Sequence, residues 1–260
     1  MAHFFLDESL DPGECTPGST VSIGGTEARH AVTVSRVREG ERLLIGNGSG
    51  LMVSGTVAGA AATELRLVIT EARIVPAPSR RITLVQALAK GDRDELAVQA
   101  ATELGIDEVV PWSASRSVSR WEGAKRIKGR NRWTSIVREA AKQSIRAWLP
   151  SVAGLATTND LARRAAGSRM LVLEPTASVR LTALAIDSVE IDSVEIDSVE
   201  IDPLADFCLV VGPEGGITPA ELEALTEAGA LAVRLGDTVL RTSTAGPAAL
   251  AVLNQSLGRW

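Results

Sequence analysis

The last fifty or so residues of this 260-residue chain contain two apolar segments that each break abruptly into a glycine-containing loop. The first, residues 209–216, reads LVVGPEGG, and the second, residues 233–245, reads VRLGDTVLRTSTA. A predicted helix follows each loop. Open α/β folds hold ligands where their parallel strands end. Two such breaks close together in sequence therefore predict a ligand site at the carboxyl edge of a parallel sheet.

The first loop does not have the sequence of a common phosphate-binding loop. Residues 212–216 lack the spacing of a dinucleotide fingerprint, and no Gly-Lys-Ser/Thr follows them, which excludes a P-loop. Glu214 would also disfavour a phosphate, whereas bare glycine backbone beside a carboxylate suits a cationic or hydroxyl-rich ligand. We expect Gly215 and Gly236 to need bare backbone there. Taken alone, the loop is equally explained as a tight turn before the helix that Thr218 begins.

From Arg80 onward, strand-like and helix-like segments alternate, which predicts an α/β domain with a mostly parallel sheet. Residues 82–85, 108–110, 170–173, 207–211 and 231–235 are predicted strands, and 207–211 is expected to be buried on both faces. A helix from about Asp92 to Gly105 has a stripe of Leu96, Ala100 and Leu104. A second helix, residues 130–147, is predicted to bury Trp133, Ile136, Val137, Ala140, Ala141, Ser144 and Ile145.

The first 75 residues have a different pattern, with short alternating runs that predict a small β barrel. Asn47-Gly48 between two of these runs indicates a hairpin. Residues 76–79 then form a predicted stiff linker, and 80–260 form the second domain. Within it, residues 186–202 repeat Ile-Asp-Ser-Val-Glu three times, a period that fits neither helix nor strand, and we interpret them as a loosely ordered acidic insertion.

Charge is distributed unevenly along the chain, whose formal net charge is −5. Residues 112–148 carry ten basic against two acidic side chains, a local +8, together with four of the five tryptophans. Such a segment suits phosphate contact and base stacking by a nucleic acid; the alternative is a solvated loop with core tryptophans. Residues 186–206 carry eight acids and no base.

Other classes of function have little support in the sequence. The chain shows no secretory signal and no apolar stretch of membrane-spanning length, so we expect no membrane association. Two isolated histidines make a metal site unexpected. Cys15 and Cys208 lie far apart in sequence, which favours free thiols and a cytoplasmic protein.

The two glycine-containing segments together resemble those of the SPOUT methyltransferases and, within them, the RsmE family. Similar segments precede them in the same order: KGDR at 90–93, ATELG at 101–105, SRS at 115–117 and the helix from Arg132 to Ser144. The resemblance implies a PUA-like β barrel followed by a trefoil-knotted α/β domain and a homodimer. It also implies methylation of N3 of a uridine in 16S ribosomal RNA of the small subunit, with S-adenosylmethionine as the methyl donor.

The resemblance also implies roles for individual residues. Backbone groups around Leu235, Gly236 and Leu240 would hold the adenine, and the glycine loop would hold the rest of the cofactor, with Glu214 as either a ligand or a helix-terminal charge. The full implied cofactor set is Val211, Gly212, Pro213, Glu214, Gly215, Gly216, Leu235, Gly236, Leu240, Thr242, Thr244 and Ala245.

Arg241 would stabilise negative charge on the uracil oxygens. Glu139 is the carboxylate candidate for the proton acceptor, acting from its own or from the second subunit, or else it simply pairs with an arginine. Candidates for RNA contact are Arg116, Arg132, Arg138, Lys142 and Arg146, each alternatively a plain surface charge.

One position departs from the family pattern. The family has Thr-Glu-Thr-Ala where this chain has Ser243 between Thr242 and Thr244. A serine cannot replace an obligatory proton acceptor, so either the glutamate has a secondary role or the chain is impaired. The second possibility leads to the alternative function of an RNA-binding or ribosome-assembly factor with a degenerate cofactor pocket.

Overall fold

The computed structural model describes residues 3–184 and 205–260. The predicted acidic insertion at 186–202 lies outside the described residues. Contacts between residues divide the chain into two units, one formed by residues 1–78 with 141–149 and the other by 79–140 with 150–260. The assignment of 141–149 to the first unit has no signal in the sequence.

The first unit is built on a five-stranded curled sheet. Its strands are β1 (His3–Leu6), β2 (Thr20–Gly24), β3 (Arg42–Gly46), β4 (Leu51–Ala61) and β5 (Glu64–Ile74), in the order β1-β3-β4-β5-β2. Only the β1–β3 pair is parallel. Two register shifts in the β4–β5 pair bend the ribbon, as bulges do. The predicted small β domain is therefore confirmed.

The turn between β3 and β4 is the hairpin that Asn47-Gly48 predicts. The Asn47 side-chain oxygen accepts hydrogen bonds from the backbone N–H groups of Ser49 and Leu51, at 2.8 and 3.1 Å. Gly48 takes a positive φ of 72°, which few other residues adopt easily. One element was not predicted: the helix α1 (Gly25–Arg29) and the π-helical turn His30–Val34 pack Ala28 and Ala31 into the core of this unit.

The second unit contains a six-stranded parallel sheet. Its strands are β6 (Ile82–Ala87), β7 (Glu108–Trp112), β8 (Ser151–Val152), β9 (Arg169–Leu173), β10 (Phe207–Val211) and β11 (Leu231–Val233), in the order β11-β9-β10-β6-β7-β8. Each pair of neighbours is parallel. Every residue of β10 is buried, as its unbroken apolar run predicts. The helices are α2 (Arg93–Glu103), α3 (Ala124–Gln143), α4 (Thr158–Ala165), α5 (Pro219–Glu227) and α6 (Thr242–Ser256).

The prediction that α2 packs through an apolar stripe of Leu96, Ala100 and Leu104 is wrong. Leu96 is 56 % exposed, and the side chains that the helix buries include Ala97, Val98 and Ala101. This face packs against α6, and small side chains allow two helices to approach closely. The stop at Gly105 is correct, because Gly105 has a φ of +103° just after the helix.

The second predicted helix is shifted in the structure. α3 begins at Ala124 and ends at Gln143, not at 130 and 147. Trp133, Val137, Ala140 and Ala141 are buried as predicted, and Ile136 and Ser144 are partly buried. Ile145 is exposed instead, with a φ of +55°, because the chain turns there rather than continuing the helix.

Residues 3–184 and 205–260 contain neither a membrane-spanning helix nor a metal cluster. None of their helices combines the length and the apolar character that crossing a bilayer requires. The same residues contain no group of three or more His, Cys, Asp or Glu side chains arranged to hold a metal ion. Cys15 and Cys208 are both buried free thiols, and burial raises the pKa of Cys208 to about 12.

Candidate active site

A cavity of about 370 Å³ opens at the carboxyl ends of three adjacent strands of the parallel sheet. Leu173 ends β9, Val211 ends β10 and Val233 ends β11, and all three side chains line it. The loops that leave these strands form the remaining walls. This is the edge at which parallel α/β sheets carry ligands, and the volume is within the range of small-molecule sites.

Most of the residues implied as a cofactor site meet at this cavity. Ten of the twelve cofactor candidates line it, as does the catalytic candidate Arg241; the ten are Val211, Gly212, Pro213, Glu214, Gly216, Leu235, Gly236, Leu240, Thr242 and Ala245. Gly215 and Thr244 do not. Lining residues that the sequence did not single out include Arg93, Glu174, Pro175 and Arg234. In the sequence, only their positions directly after the strands that end in Leu173 and Val233 could have indicated Glu174, Pro175 and Arg234.

The positions of the first loop are occupied by glycine for different structural reasons. A Cβ on Gly212 would lie 2.7 Å from Cγ1 of Ile217, so this position requires glycine. Gly216 has a φ of +75°. Gly215 lies outside the cavity and packs against Arg116. A Cβ on Gly215 would be 3.0 Å from the Cβ of Arg116. A Cβ on Gly236 would meet no atom within 4 Å, so packing within the protein does not require glycine there, and the expectation that ligand binding needs bare backbone at Gly236 stays a prediction.

The second loop presents unpaired backbone to the cavity. No backbone N–H or C=O of residues 235–240 is hydrogen-bonded to any residue that the structure describes. Backbone polar groups away from helices and strands ordinarily find partners in protein, water or a ligand. Five of these six residues line the cavity. The loop therefore offers a row of donors and acceptors suited to the edge of a planar heterocycle.

A buried hydrogen-bond network connects the two loops. The Thr242 hydroxyl donates to the carbonyl oxygen of Gly212 and accepts from Nε2 of Gln86, both at 2.8 Å. Gln86 is fully buried on β6. Thr242 was predicted as a cofactor ligand, but its hydroxyl is already used in holding α6 against the first loop.

Glu214 is likewise bound by protein. Its Oε1 accepts a hydrogen bond from the backbone N–H of Lys90 at 3.1 Å and pairs with the Arg93 guanidinium at 3.1 Å. The charge at the start of α5 comes instead from Glu221, which forms a capping box with Thr218. Burial opposes the ionisation of Glu221, but hydrogen bonds from Ser115 and Thr218 outweigh it and hold its pKa below the ordinary value.

Comparison with known proteins identifies the family. A protein-family model described as an RNA methyltransferase domain matches residues 76–254, and a second family model, described as an RNA methyltransferase PUA domain, matches residues 23–70. The chain belongs to the RNA methyltransferase family. It is 43 % identical to Ribosomal RNA small subunit methyltransferase E of Mycobacterium bovis, with 99 % of this chain and 92 % of the relative covered.

Two further relatives extend the likeness. The protein of the same name from Bacillus subtilis is 30 % identical, over 98 % of this chain and 96 % of its own. A crystal structure of Ribosomal RNA small subunit methyltransferase E from Neisseria gonorrhoeae bound to S-adenosyl methionine is 25 % identical with a TM-score of 0.82, covering 98 % of both chains. The expected fold class, a PUA-like β domain followed by a SPOUT-type α/β domain, is confirmed; the knot stays a prediction.

Of the two catalytic candidates in this methyltransferase, the structure brings only Arg241 to the cavity. Its side chain is exposed at the start of α6, and its guanidinium makes no hydrogen bond or ion pair with the residues described. Glu139 is exposed on α3, does not line the cavity and has a partner of its own. Ser243 also lies outside the cavity lining.

The five candidates for RNA contact lie in different surroundings. Arg116 is exposed and donates to the carbonyl oxygen of Gly215 at 3.0 Å. Arg132 is exposed and forms a forked ion pair with Glu95, 2.8 Å at its closest. Arg138 and Arg146 are partly buried and have partners. Lys142 is buried in the first unit against Glu27, with its Nζ 3.1 Å from the carboxylate, and this is a correction: a buried, paired ammonium is not available to a phosphate.

Proposed function

We propose that this protein transfers the methyl group of S-adenosylmethionine to N3 of a uridine in 16S ribosomal RNA of the small subunit. The family membership and the name of its relatives support an RNA methyltransferase, and the cofactor is found in the Neisseria gonorrhoeae relative. The observation that carries the proposal is the backbone of residues 235–240, which has no hydrogen-bond partner among the described residues and belongs to a loop that lines the same cavity as the glycine loop.

The chain's own residues would bind the cofactor mainly through backbone. Donors and acceptors of residues 235–240 would contact the adenine edge, and Gly212 would let the first loop approach the ligand closely. When bound, S-adenosylmethionine supplies an electrophilic methyl group on a sulfonium. The protein's remaining task is to align the acceptor nitrogen with that methyl group and to assist the loss of its proton.

Arg241 is the residue proposed to act on the acceptor. The N3–H of uridine is a weak acid, and its loss leaves negative charge on the two flanking oxygens. A guanidinium that has no partner among the described residues and is exposed at the cavity can stabilise that charge. This contribution lowers the barrier without requiring Arg241 to accept the proton itself.

The proton acceptor is proposed to be Glu139 of a second subunit. Within one chain Glu139 does not line the cavity, so it would have to be brought there by a partner molecule. Two apolar side chains on the cavity rim, Val239 at 78 % and Leu240 at 36 % exposure, support a further surface covering the cavity in a homodimer. Light scattering of the purified protein tests the dimer, and the methylation rate of Glu139→Gln tests the acceptor.

The RNA contacts proposed are Arg116, Arg132, Arg138 and Arg146, without Lys142. Arg116 and Arg132 are the most exposed of them. The alternative function, an RNA-binding or assembly factor with a degenerate pocket, rests on Ser243 in place of the family's glutamate, a residue that does not line the cavity of one chain. A cytoplasmic location is proposed because the small ribosomal subunit is there.

Two measurements test the proposal. Isothermal titration with S-adenosylmethionine is expected to show binding by the wild type and weaker binding by Gly212→Ala. Mapping of N3-methyluridine in 16S ribosomal RNA, with and without the gene, is expected to show one site that disappears with the gene and returns with the wild-type copy. Binding without any missing methyl group would favour the assembly-factor alternative, and no binding would contradict both the cofactor and the reaction.

A further inference from the structure

A second cavity, of about 340 Å³, lies beside the first in the same unit. Its walls are the loop before α2, the turn at residues 118–121 and the face of α3 that carries Gly129 and Trp133. No residue lines both cavities. The loop between them has Lys90 on one side and Arg93 on the other, and Glu214 holds both. The two cavities are therefore neighbours separated by one hydrogen-bonded loop.

Among the tryptophans of the basic segment, only Trp121 is available to a ligand in this cavity. Trp112 and Trp133 are fully buried, and the Trp148 indole N–H donates to the carbonyl oxygen of Val75 at 3.0 Å. Trp121 is partly exposed and lines the cavity, and its indole N–H makes no hydrogen bond within the described part of the chain.

The Trp121 ring is held in place by packing. It lies so close over Gly129 that a Cβ there would be 2.3 Å from the indole. Its ring centroid is 5.2 Å from that of Trp133, with an interplanar angle of 75°, the edge-to-face arrangement that aromatic rings favour. A ring fixed in this way can stack on a planar ligand with little further loss of freedom.

Polar and charged groups around the ring suit a nucleotide. The Lys90 ammonium and the Asp92 carboxylate line the cavity and make no hydrogen bond to the described residues, so a donor and an acceptor remain for a base. The first turns of α3, which include the lining residue Gly129, carry the exposed cations Lys125, Arg126, Lys128 and Arg130. Arg126 donates to the carbonyl oxygen of Trp121 and Arg130 to that of Val152, whereas the side chains of Lys125 and Lys128 make no hydrogen bond to the described residues. Exposed cations contact phosphates, and a fixed aromatic ring stacks an unpaired base.

We propose that this second cavity binds an unpaired RNA nucleotide that flanks the target uridine, with its base stacked on Trp121 and its phosphates along the start of α3. The inference rests on the proposed function. The base held here is not the methyl acceptor of the same chain's cofactor site, because the contact of Glu214 with Lys90 and Arg93 lies between the two cavities. Stacking of this kind strengthens RNA binding about five- to 150-fold per base.

The test uses the full-length protein, S-adenosylmethionine and small subunits purified from cells that lack the gene. Trp121→Ala is expected to raise the KM for subunits at least about fivefold with little change in kcat, and Trp121→Phe, which keeps a stacking ring, less than about threefold. Trp260→Ala is the matched control, since Trp260 is an exposed tryptophan of the same unit outside both cavities. Affinity for S-adenosylmethionine should be the same in all three variants.

Lys90→Ala provides a second variant that leaves the packing of Trp121 intact. We expect it to raise the KM for subunits about threefold or more and to reduce the dependence of binding on salt. An unchanged KM in Lys90→Ala, or in a folded Trp121→Ala, overturns the inference. The inference is also overturned if Trp121→Phe raises the KM for subunits as much as Trp121→Ala does, because Trp121 would then act through packing alone. A wild type without cofactor binding would instead refute the proposed function.

Discussion

Removing the hydroxyl of Thr242 should loosen the cofactor pocket and destabilise the unit that carries it. Thr242→Val keeps the shape of the side chain but leaves the carbonyl oxygen of Gly212 without its 2.8 Å partner. The Gln86 amide also loses a 2.8 Å bond but keeps a 3.2 Å bond to the carbonyl oxygen of Ala87. The partly buried carbonyl of Gly212 thus loses its protein partner, and the fully buried amide of Gln86 keeps only its longer bond.

The expected loss of stability follows from these two altered hydrogen bonds. A buried polar group left unpaired costs about 1–3 kcal/mol. For a protein of this size, each kcal/mol lowers Tm by about 2–4 °C, so Thr242→Val should melt about 2–12 °C below the wild type. Because Gly212 lines the cavity, we also expect affinity for S-adenosylmethionine to fall up to about tenfold, or about 1.4 kcal/mol.

Scanning calorimetry and isothermal titration measure the two effects. Thr242→Ser is the control, because it retains the hydroxyl and should melt close to the wild type. The double variant Gln86→Met with Thr242→Val should cost less than the sum of the single variants, since it removes both polar partners together. A Thr242→Val protein with wild-type Tm and wild-type cofactor affinity would refute the view that this network holds the pocket.

Three further outcomes are expected. Gly212→Ala should weaken S-adenosylmethionine binding at least about tenfold, because its methyl group would lie 2.7 Å from Ile217, whereas Gly236→Ala, with open space around it, should stay within about threefold by calorimetric titration. Glu221→Gln should lower Tm at pH 7. Its pKa in the folded protein is depressed, so this stabilisation is complete above 4.5, the ordinary value, and the difference from wild type should shrink as thermal scans are made at lower pH. Ser243→Glu should change the methylation rate less than about tenfold, or about 1.4 kcal/mol of barrier, and a thousandfold gain would show that a catalytic group is missing.

Local patterns predicted much of the fold and the first cavity. Unbroken apolar runs identified the buried strands. A strand that ends in a glycine loop marks the edge of the sheet, and this pattern involves only residues that are neighbours in sequence. For that reason the amino-acid sequence alone places Gly212 and Leu235 at a common site. The α2 stripe failed because Leu96, Ala100 and Leu104 form one possible helical face, but the face that packs is the one with Ala97 and Ala101.

Contacts between distant parts of the chain could not be predicted in this way. Gln86 and Thr242 are 156 positions apart, and nothing near either residue indicates the other. Lys142 has the sequence context of a surface cation, yet its partner Glu27 is 115 positions away. The same limit applies to the cavity at Trp121, because another of its walls is the loop before α2.

The arrangement of the first loop indicates how affinity for the cofactor arises. A loop with glycines at 212, 215 and 216 would lose much conformational freedom on binding a ligand if it were free in the unliganded protein. Three distant elements hold it instead: α6 through Thr242, the start of α2 through the bonds of Lys90 and Arg93 to Glu214, and Arg116 through the carbonyl oxygen of Gly215. The entropy of ordering is therefore largely lost during folding rather than during binding. It follows that a variant of Arg116, a tether outside the cavity lining, should weaken cofactor binding without touching the cofactor. The backbone of residues 235–240 can then bind a ligand against a wall that is already in place.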